Sequence, residues 1–324
     1  MALKCFPRGS TSLFSFLREY NLSLTFCSHP SLTRALGIAY RTPTHYIFAQ
    51  QAALHGDLYD IIVPEVGVEE GCVQRVVSQL CGALAHLHGL GFVHRDLKPE
   101  NIFLCDPACS WVKLGDFGMV KAVGSRVQEV WYSSAYCPPE AEVARGNRAR
   151  REEEDEKEKG GGAGKEKKQA VWVSVDPSVD CWALGILTYA LLTGTLPWAE
   201  TASDNRSYRR YRDWVSSSSS SSSSSSEPSD RLDVLGSRPP QGPGPPAAPQ
   251  FSCFTPLACS LFRALLDPQP RLRGRPGDAL AFLGGEWLRG EERSRLEEER
   301  EKRRSGGKKG ALGKMKEMEG KGER

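Results

Sequence analysis

Val93-His94-Arg95-Asp96-Leu97-Lys98-Pro99-Glu100-Asn101 is the stretch on which the reading of this chain turns. Fifteen residues after Asn101 comes Asp116-Phe117-Gly118, preceded by the strand-like run Val112-Lys113-Leu114-Gly115. Upstream, Val73, Val76, Leu80, Leu84 and Leu87 recur at helical spacing between Glu69 and His88, so a long helix leads into the stretch. Two carboxylates (Asp96, Asp116), one amide (Asn101) and one ammonium (Lys98) are thus set at fixed intervals in two loops. Nine consecutive positions followed by a second motif at the right distance leave little room for coincidence.

Together these residues resemble the catalytic loop and the metal-binding loop of a eukaryotic protein kinase. The resemblance implies a transfer of phosphate from ATP that needs an in-line hydroxyl, Mg²⁺ on the phosphates and charge stabilisation. It implies that Asp96 orients the substrate hydroxyl and accepts its proton. Asn101 and Asp116 are the implied Mg²⁺ ligands, and Lys98 the implied cation beside the transferred phosphate. In the family a Lys at that place goes with Ser/Thr substrates. Arg95 is expected to be regulatory and His94 structural, since the proton falls to the Asp.

The chain has 324 residues, enough for one large domain or two small ones, and 39% apolar content allows a substantial core. From Arg289 onward there are 13 Lys/Arg against 9 Asp/Glu, a tail of +4, which leaves the rest of the net +3 chain at −1. That near-neutral body does not argue for a nucleic-acid partner. The ten cysteines include no C-x-x-C pair, and the closest spacing is Cys105-x₃-Cys109 with no His nearby, so ordinary thiols are expected rather than zinc. The start lacks a sustained apolar segment of signal-peptide type, and the longest apolar run, Cys181 to Gly194, is 14 residues, too short to span a bilayer. A cytoplasmic, reduced protein is the expectation.

Met1-Ala2-Leu3-Lys4 resembles the end of the kinase strand written Val-Ala-Ile-Lys. By that resemblance Lys4 pairs with the α- and β-phosphates and Ala2 lines the adenine. The partner of Lys4 should be the acid of the next helix. Phe14 to Leu22 has helical spacing, and Glu19 is its only acid. A kinase carries two strands and a Gly-rich loop before that Lys, and this sequence opens at the Lys strand. Either the sequence is N-terminally incomplete or the small lobe is truncated, and the truncated lobe is expected to have an unpaired edge strand and an exposed apolar face. Leu36 to Ala39 and Tyr46 to Ala49 read as strands. The resemblance then makes Gln50 the residue at the back of the adenine pocket. Gln51 and Ala53 are the backbone contacts to the adenine edge, Asp57 the contact to ribose, and Phe103 the floor of the pocket.

Asp116 to Glu140 corresponds to an activation segment, ending Cys137-Pro138-Pro139-Glu140 where Ala-Pro-Glu is usual. Tyr132 stands where Gly is usual, and Ser133 where the family has a Thr. Ser125, Ser133 and Ser134 are candidate phosphorylation sites, none of them singled out. Glu140 is expected to pair with Arg271. Asp180, at the head of the apolar helix, is expected to anchor the loop around Asp96. Residues 148–168, with 8 basic and 7 acidic side chains around a Gly-rich centre, read as part of a disordered insertion over about 145–170. The eleven serines Ser216 to Ser226 and the Pro/Gly-rich stretch after them read as a second, over about 216–249. The last 36 residues, 289–324, read as a charged tail with too few apolar residues to pack.

Several runs go beyond the general kinase pattern: Phe16-Leu-Arg-Glu-Tyr20, Gly37-Ile-Ala39, Phe48-Ala-Gln50, Gly56 to Ile62, Pro64-Glu-Val-Gly67 and Asp116-Phe-Gly-Met119. They resemble the SH3-binding-domain serine/threonine kinase family. The implied fold is α+β: a bilobal protein-kinase-like domain over 1–288, with a truncated β-rich small lobe (1–50) and a mainly helical large lobe (51–288). The implied partners are protein substrates offering Ser or Thr. Arg238 to Pro246 is either an SH3 ligand or, as its spacing favours, a plain linker. Lys302-Arg303-Arg304 raises a lesser nuclear or nucleic-acid alternative. Two readings stay open: a working Mg²⁺- and ATP-dependent Ser/Thr kinase, or a kinase-like scaffold that binds partners without transferring phosphate.

Overall fold

The computed structural model describes residues 1–127, 135–142, 172–220 and 247–303. Its N-terminal region is β-rich. β1 (Ala2–Pro7) leads into α1 (Leu13–Thr25), followed by β2 (Ala35–Arg41) and β3 (His45–Gln50). The strands form an antiparallel sheet in the order β1-β3-β2, with Lys4 opposite Phe48 and both Ala2 and Ala35 opposite Gln50. Alternation along β1 turns Ala2, Lys4 and Phe6 inward and Leu3 and Cys5 outward. Phe16 and Tyr20 of α1 pack on Phe6, Tyr46 and Phe48, with ring centroids 5.2–6.2 Å apart. β1 lies at the sheet edge, and Leu3, Leu36, Ile38 and Tyr40 are exposed.

The C-terminal region is mainly helical, which makes the fold α+β with the two-region layout of a kinase. It begins with α2 (Leu58–Ile61) and α3 (Glu70–Gly89). Short hairpin strands follow: β4 (Phe92–Val93), β5 (Ile102–Leu104), β6 (Val112–Leu114), β7 (Lys121–Ala122), β8 (Arg126–Val127) and β9 (Val173–Ser174), paired β4–β7, β5–β6 and β8–β9. Then come α4 (Ser178–Thr193), α5 (Arg206–Ser220), α6 (Pro256–Leu265) and α7 (290–303). α4 is apolar on all faces and is accordingly the core helix: every residue from Ser178 to Leu192 is buried. α6 approaches α4 so closely at Gly185 that a Cβ there would lie 2.7 Å from Leu266. α4 ends at Gly194, φ 69°, where a Cβ would lie 2.2 Å from the Val63 carbonyl. The 63–68 loop closes on that end through Glu65 N–H to Gly194 O (3.2 Å) and Val68 N–H to Leu191 O (2.6 Å).

Three expectations need correction. Glu140 pairs with Arg273, not Arg271: Nη1 and Nη2 of Arg273 reach the two carboxylate oxygens at 2.9 and 3.1 Å, while Arg271 is exposed. The short 3₁₀ turn Pro270–Leu272 points Arg271 outward and brings Arg273 under Trp182, its guanidinium 5.0 Å from the ring. The serine run is not irregular throughout, because α5 continues to Ser220. Its buried face, Tyr208, Tyr211, Trp214 and Val215, meets Phe251 just beyond the Pro/Gly-rich stretch, with Trp214 stacked on Phe251 at 5.7 Å. Nor is the tail unpacked. α7 buries Leu296, and Arg300 donates to the carbonyls of Val66 (3.1 Å) and Val68 (2.9 Å), while Arg303 donates to Pro64 O (3.1 Å). Counting apolar residues misses this helix because its arginines, with their alkyl stems, do the packing. Residues 143–171, 221–246, 304–324 and the activation-segment positions 128–134, including Tyr132, Ser133 and Ser134, lie outside the described residues, as do the first insertion and the Pro-rich run.

Two stability outcomes follow from these contacts. Arg273→Ala strands the Glu140 carboxylate and is expected to lower unfolding free energy by about 3–5 kcal/mol, whereas Arg271→Ala stays within about 0.5 kcal/mol. Equal effects in urea denaturation would restore the original pairing. Arg300→Ala leaves two carbonyls of the 63–68 loop without a donor and should cost about 1–3 kcal/mol. Lys302→Ala, on the exposed side of α7, serves as the silent control, and matching curves for the two variants would show that α7 does not brace this loop.

Candidate active site

The loop from Val93 to Asn101 hangs from the core by one carboxylate. Asp180, in the first turn of α4, accepts the backbone N–H groups of His94 and Arg95, both at 2.8 Å, and Nε2–H of His88 at 2.9 Å. Burial alone would push the Asp180 carboxyl up, and the His88 and backbone donors more than offset it, so it is held below the usual carboxylate range. Arg95 takes a left-handed φ of 70°. His94 is fully buried: Nε2 donates to Gly115 O (3.1 Å), and Nδ1 accepts Asp96 N–H (3.3 Å). That tautomer is neutral, and burial pulls the imidazole below its ordinary pKa. Both ring nitrogens are spent on backbone, in keeping with a structural role.

Asp96 therefore projects from a fixed backbone. Its Oδ2 receives Asn101 Nδ2 at 2.9 Å and Lys98 Nζ at 3.0 Å, and the same Nδ2 holds the Asp96 carbonyl at 2.7 Å. Among the described residues, Oδ1 of Asp96 and Oδ1 of Asn101 are left open. The Asn101 carbonyl accepts Gly115 N–H at 2.9 Å, which ties this loop to the one that starts at Asp116. A cleft of about 190 Å³ runs from Asp96 and Lys98 to Tyr136, Cys137 and Pro138.

Lys4 crosses from the sheet to meet the Glu19 expected of it and, beyond that expectation, Asp116. Its ammonium contacts Glu19 Oε1 and lies 3.0 Å from Asp116 Oδ1. Burial lowers the Lys4 pKa, and the two carboxylates raise it by more, so the ammonium stays charged. Burial pushes the Glu19 carboxyl up against the pull of Lys4. The direct contact, shared with Asp116, decides for an ion pair. Asp116 is held below its usual range, because Lys4 and the Gly118 N–H outweigh burial. It has φ 59°, and Gly118 leaves room for the group: a Cβ there would lie 3.2 Å from Glu19 Oε2. Phe117 is buried between Phe26 (5.1 Å) and His94 (5.9 Å). Arg18, which the sequence reading did not single out, donates to the Gly118 carbonyl beside Glu19.

The remaining candidates lie at the end of β3, in the segment after it, at the start of α2 and on β5. Gln50 ends β3 between Ala2 and Ala35. Gln51 gives its N–H to Arg34 O (2.8 Å), leaving its carbonyl, while neither backbone group of Ala53 is paired among the described residues. Asp57 caps α2, Oδ1 accepting Tyr59 N–H (2.9 Å) and Asp60 N–H (3.3 Å), so only its second oxygen is left over. Phe103 lies on β5, bridged to Asp57, and its ring would be 2.8 Å from a Cβ at Gly115. The structure thus joins Lys4 to Glu19 and Asp116, Asp96 to Lys98 and Asn101, the Asn101 loop to the Asp116 loop through Gly115, and Asp57 to Phe103. The carboxylate of Asp116 and the open Oδ1 of Asn101 suit Mg²⁺, which takes one or two oxygen ligands from protein and the rest from phosphate and water.

A protein kinase domain model matches residues 1–154. Serine/threonine-protein kinase SBK2 of Rattus norvegicus is 33% identical over 292 residues, which is 90% of this chain and 68% of that protein. The Mus musculus SBK2 is 33% identical over 315 residues (97% and 75%), and SBK1 of Danio rerio is 34% identical over 288 (89% and 62%). The relatives extend the match well past residue 154, through the core helix and the last helices. With the two-region fold and the gathered motif residues, this places the chain in the SBK1/SBK2 family of the eukaryotic protein kinase superfamily.

Proposed function

We propose that this chain is a protein Ser/Thr kinase that moves the γ-phosphate of ATP to Ser or Thr hydroxyls of protein substrates. The observation that carries the reading is the Lys4 ammonium held between Glu19 and Asp116. Mg²⁺ supplies charge neutralisation on the phosphates when bound, with Asn101 Oδ1 and Asp116 as its protein ligands. Asp96 is the acceptor of the substrate hydroxyl proton at its open Oδ1; Asn101 and Lys98 fix the other oxygen. Lys98, paired with Asp96 and 40% exposed, is the cation beside the transferred phosphate. Lys4 positions the α- and β-phosphates. The Gln51 carbonyl and Ala53 backbone read the adenine edge, Ala2 and Phe103 enclose the ring, and Asp57 reaches the ribose with its unspent oxygen. The cleft toward Tyr136 and Pro138 takes the substrate segment. Among the described residues no helix is long and apolar enough to cross a membrane. A cytoplasmic place and an SH3-domain partner belong to the same proposal.

The test is Mg²⁺-ATP-dependent phosphate incorporation into a generic basic protein. Asp96→Asn is expected to lower the rate by about 10²–10⁴-fold, the usual worth of a positioned general base, with nucleotide affinity retained. Lys4→Ala should weaken nucleotide binding by about tenfold to a hundredfold, the worth of a charge-assisted contact. Incorporation unchanged in Asp96→Asn would remove Asp96 from the reaction. Folded wild-type protein that binds nucleotide and transfers nothing would favour the partner-binding reading.

A further inference from the structure

The peptide group at Gly118 is held from both sides. Its N–H donates to Asp116 Oδ1 at 3.3 Å, and its carbonyl accepts Nη2–H of Arg18, on α1. Among the described residues Arg18 is the donor on which that carbonyl depends. The glycine lets the groups crowd together: a Cβ there would lie 3.2 Å from Glu19 Oε2 and 3.3 Å from Asp116 Oδ1. Arg18 itself is half-buried, and among the described residues its buried Nε–H has no acceptor. Leaving a buried donor unspent is costly, so a guanidinium is a poor way to fill this space. What the position gains from it is the bond to Gly118.

The other polar link between α1 and this loop runs through Lys4, whose ammonium is shared by Glu19 Oε1 and Asp116 Oδ1. The inference here rests on the kinase reading, in which Lys4 turns to the α- and β-phosphates and Asp116 to Mg²⁺. An ammonium has three donors, so Lys4 can keep Glu19 while it gives up Asp116. The bond from Lys4 to Asp116 is then lost. The bond from Arg18 to Gly118 uses no atom of Lys4 and no carboxylate oxygen, so nucleotide and metal leave it intact. It becomes the direct polar tie between α1 and the Asp116 loop.

That tie acts on a strained backbone. Asp116 is left-handed at φ 59°, a conformation that a non-glycine residue keeps only when its surroundings impose it. On its N-terminal side the chain is pinned by Gly115 N–H to Asn101 O at 2.9 Å. On its C-terminal side the nearest polar anchor is the Gly118 carbonyl on Arg18. We propose that Arg18 is a positioning residue for metal binding: it holds Gly118 so that Asp116 keeps the conformation that presents its carboxylate to Mg²⁺ once Lys4 has moved to the nucleotide.

The experiment titrates Mg²⁺ into the full chain with a fluorescent ATP analogue and reads nucleotide affinity. In the wild type, affinity is expected to rise with Mg²⁺ to a defined midpoint. Arg18→Ala should move that midpoint to about 10–100-fold higher Mg²⁺, the usual cost of removing a group that orients a metal ligand. Affinity without Mg²⁺ should be unchanged, because Lys4 and Glu19 remain. Arg18→Lys, which keeps one charged donor without the fixed fork, should recover part of the shift. Phe14→Ser, at a 76% exposed position on the same helix, should leave the midpoint in place. If thermal unfolding shows that Arg18→Ala does not fold, Arg18→Gln carries the same titration with the same direction expected. Equal midpoints in wild type and variant, or a loss of affinity that is as large without Mg²⁺, would overturn the proposal. So would a shift in Phe14→Ser as large as that in Arg18→Ala, which would assign the effect to a loosened α1. Each of these outcomes leaves the kinase reading standing. Wild-type protein whose nucleotide affinity ignores Mg²⁺ would remove that reading and the proposal with it.

Discussion

Asp180 carries the geometry of the cleft. Its carboxylate is almost wholly buried, and it accepts three donors, two of them successive backbone N–H groups of His94 and Arg95. Arg95 is left-handed at φ 70°, a state that costs an ordinary residue roughly 1–2 kcal/mol. A buried N–H left without an acceptor costs about 1–3 kcal/mol, and here two such groups are satisfied by one charge. The anion therefore outweighs the backbone strain, and the loop keeps the bend that turns Asp96 toward the cleft. Because Asp180 belongs to α4, buried from Ser178 to Leu192, the loop inherits the rigidity of the core.

The second loop is fixed by different means. β6 is stitched on one edge to β5 and on the other to the segment after α1, through Leu114 N–H to Ser31 O and Thr33 N–H to Leu114 O, both 2.9 Å. It delivers Asp116 in a left-handed conformation, with Phe117 wedged against Phe26 and His94. Phe26 follows α1 directly, so the position of α1 is read by Phe117 through packing and by Asp116 through Lys4 and Glu19. Arg18, one residue before Glu19, adds a bond to the Gly118 carbonyl. A shift of α1 away from the cleft would break these contacts together, which makes the arrangement two-state in character rather than continuously adjustable.

What could be read from the sequence was what depends on residue type at fixed local spacing. The Asp96 loop, the Asp116 loop, the Lys4 strand, Glu19 as the only acid of its helix, and the all-apolar α4 each announce themselves within about twenty residues; Lys4 meets Glu19, and α4 is buried. Contacts that depend on the direction of a turn were not legible. Arg271 and Arg273 are equivalent as sequence, and only the 3₁₀ turn between Gln269 and Arg273 decides which guanidinium faces Glu140. α5 was hidden by the serine run it enters, although Tyr208, Tyr211, Trp214 and Val215 mark one face at helical spacing. α7 was hidden by its charge, since a sequence count treats an arginine that caps two buried carbonyls like one in solvent.

That tail helix changes how α3 is understood. Seen as a pattern, α3 is an amphipathic helix whose apolar face fills the core, and such a face resists rotation better than it resists sliding. Its ends supply the missing constraint. At the C-terminal end, His88 is bonded to Asp180, the residue that holds the Asp96 loop. At the N-terminal end, the Glu70 carboxylate accepts the backbone N–H groups of Trp287 (2.7 Å) and Leu288 (3.1 Å), and Arg293 of α7 lies 3.4 Å from it. A carboxylate in the first turn of a helix is favoured there by the helix dipole as well. α3 is thus pinned along its axis at both ends by charged groups. Four residues separate His88 from Val93, and a slide of one helical turn, about 5.4 Å, would carry the Asp96 loop away from Asp180 altogether. The chain beyond Trp287 therefore acts on the cleft at long range, by fixing the axial position of the helix that leads into it.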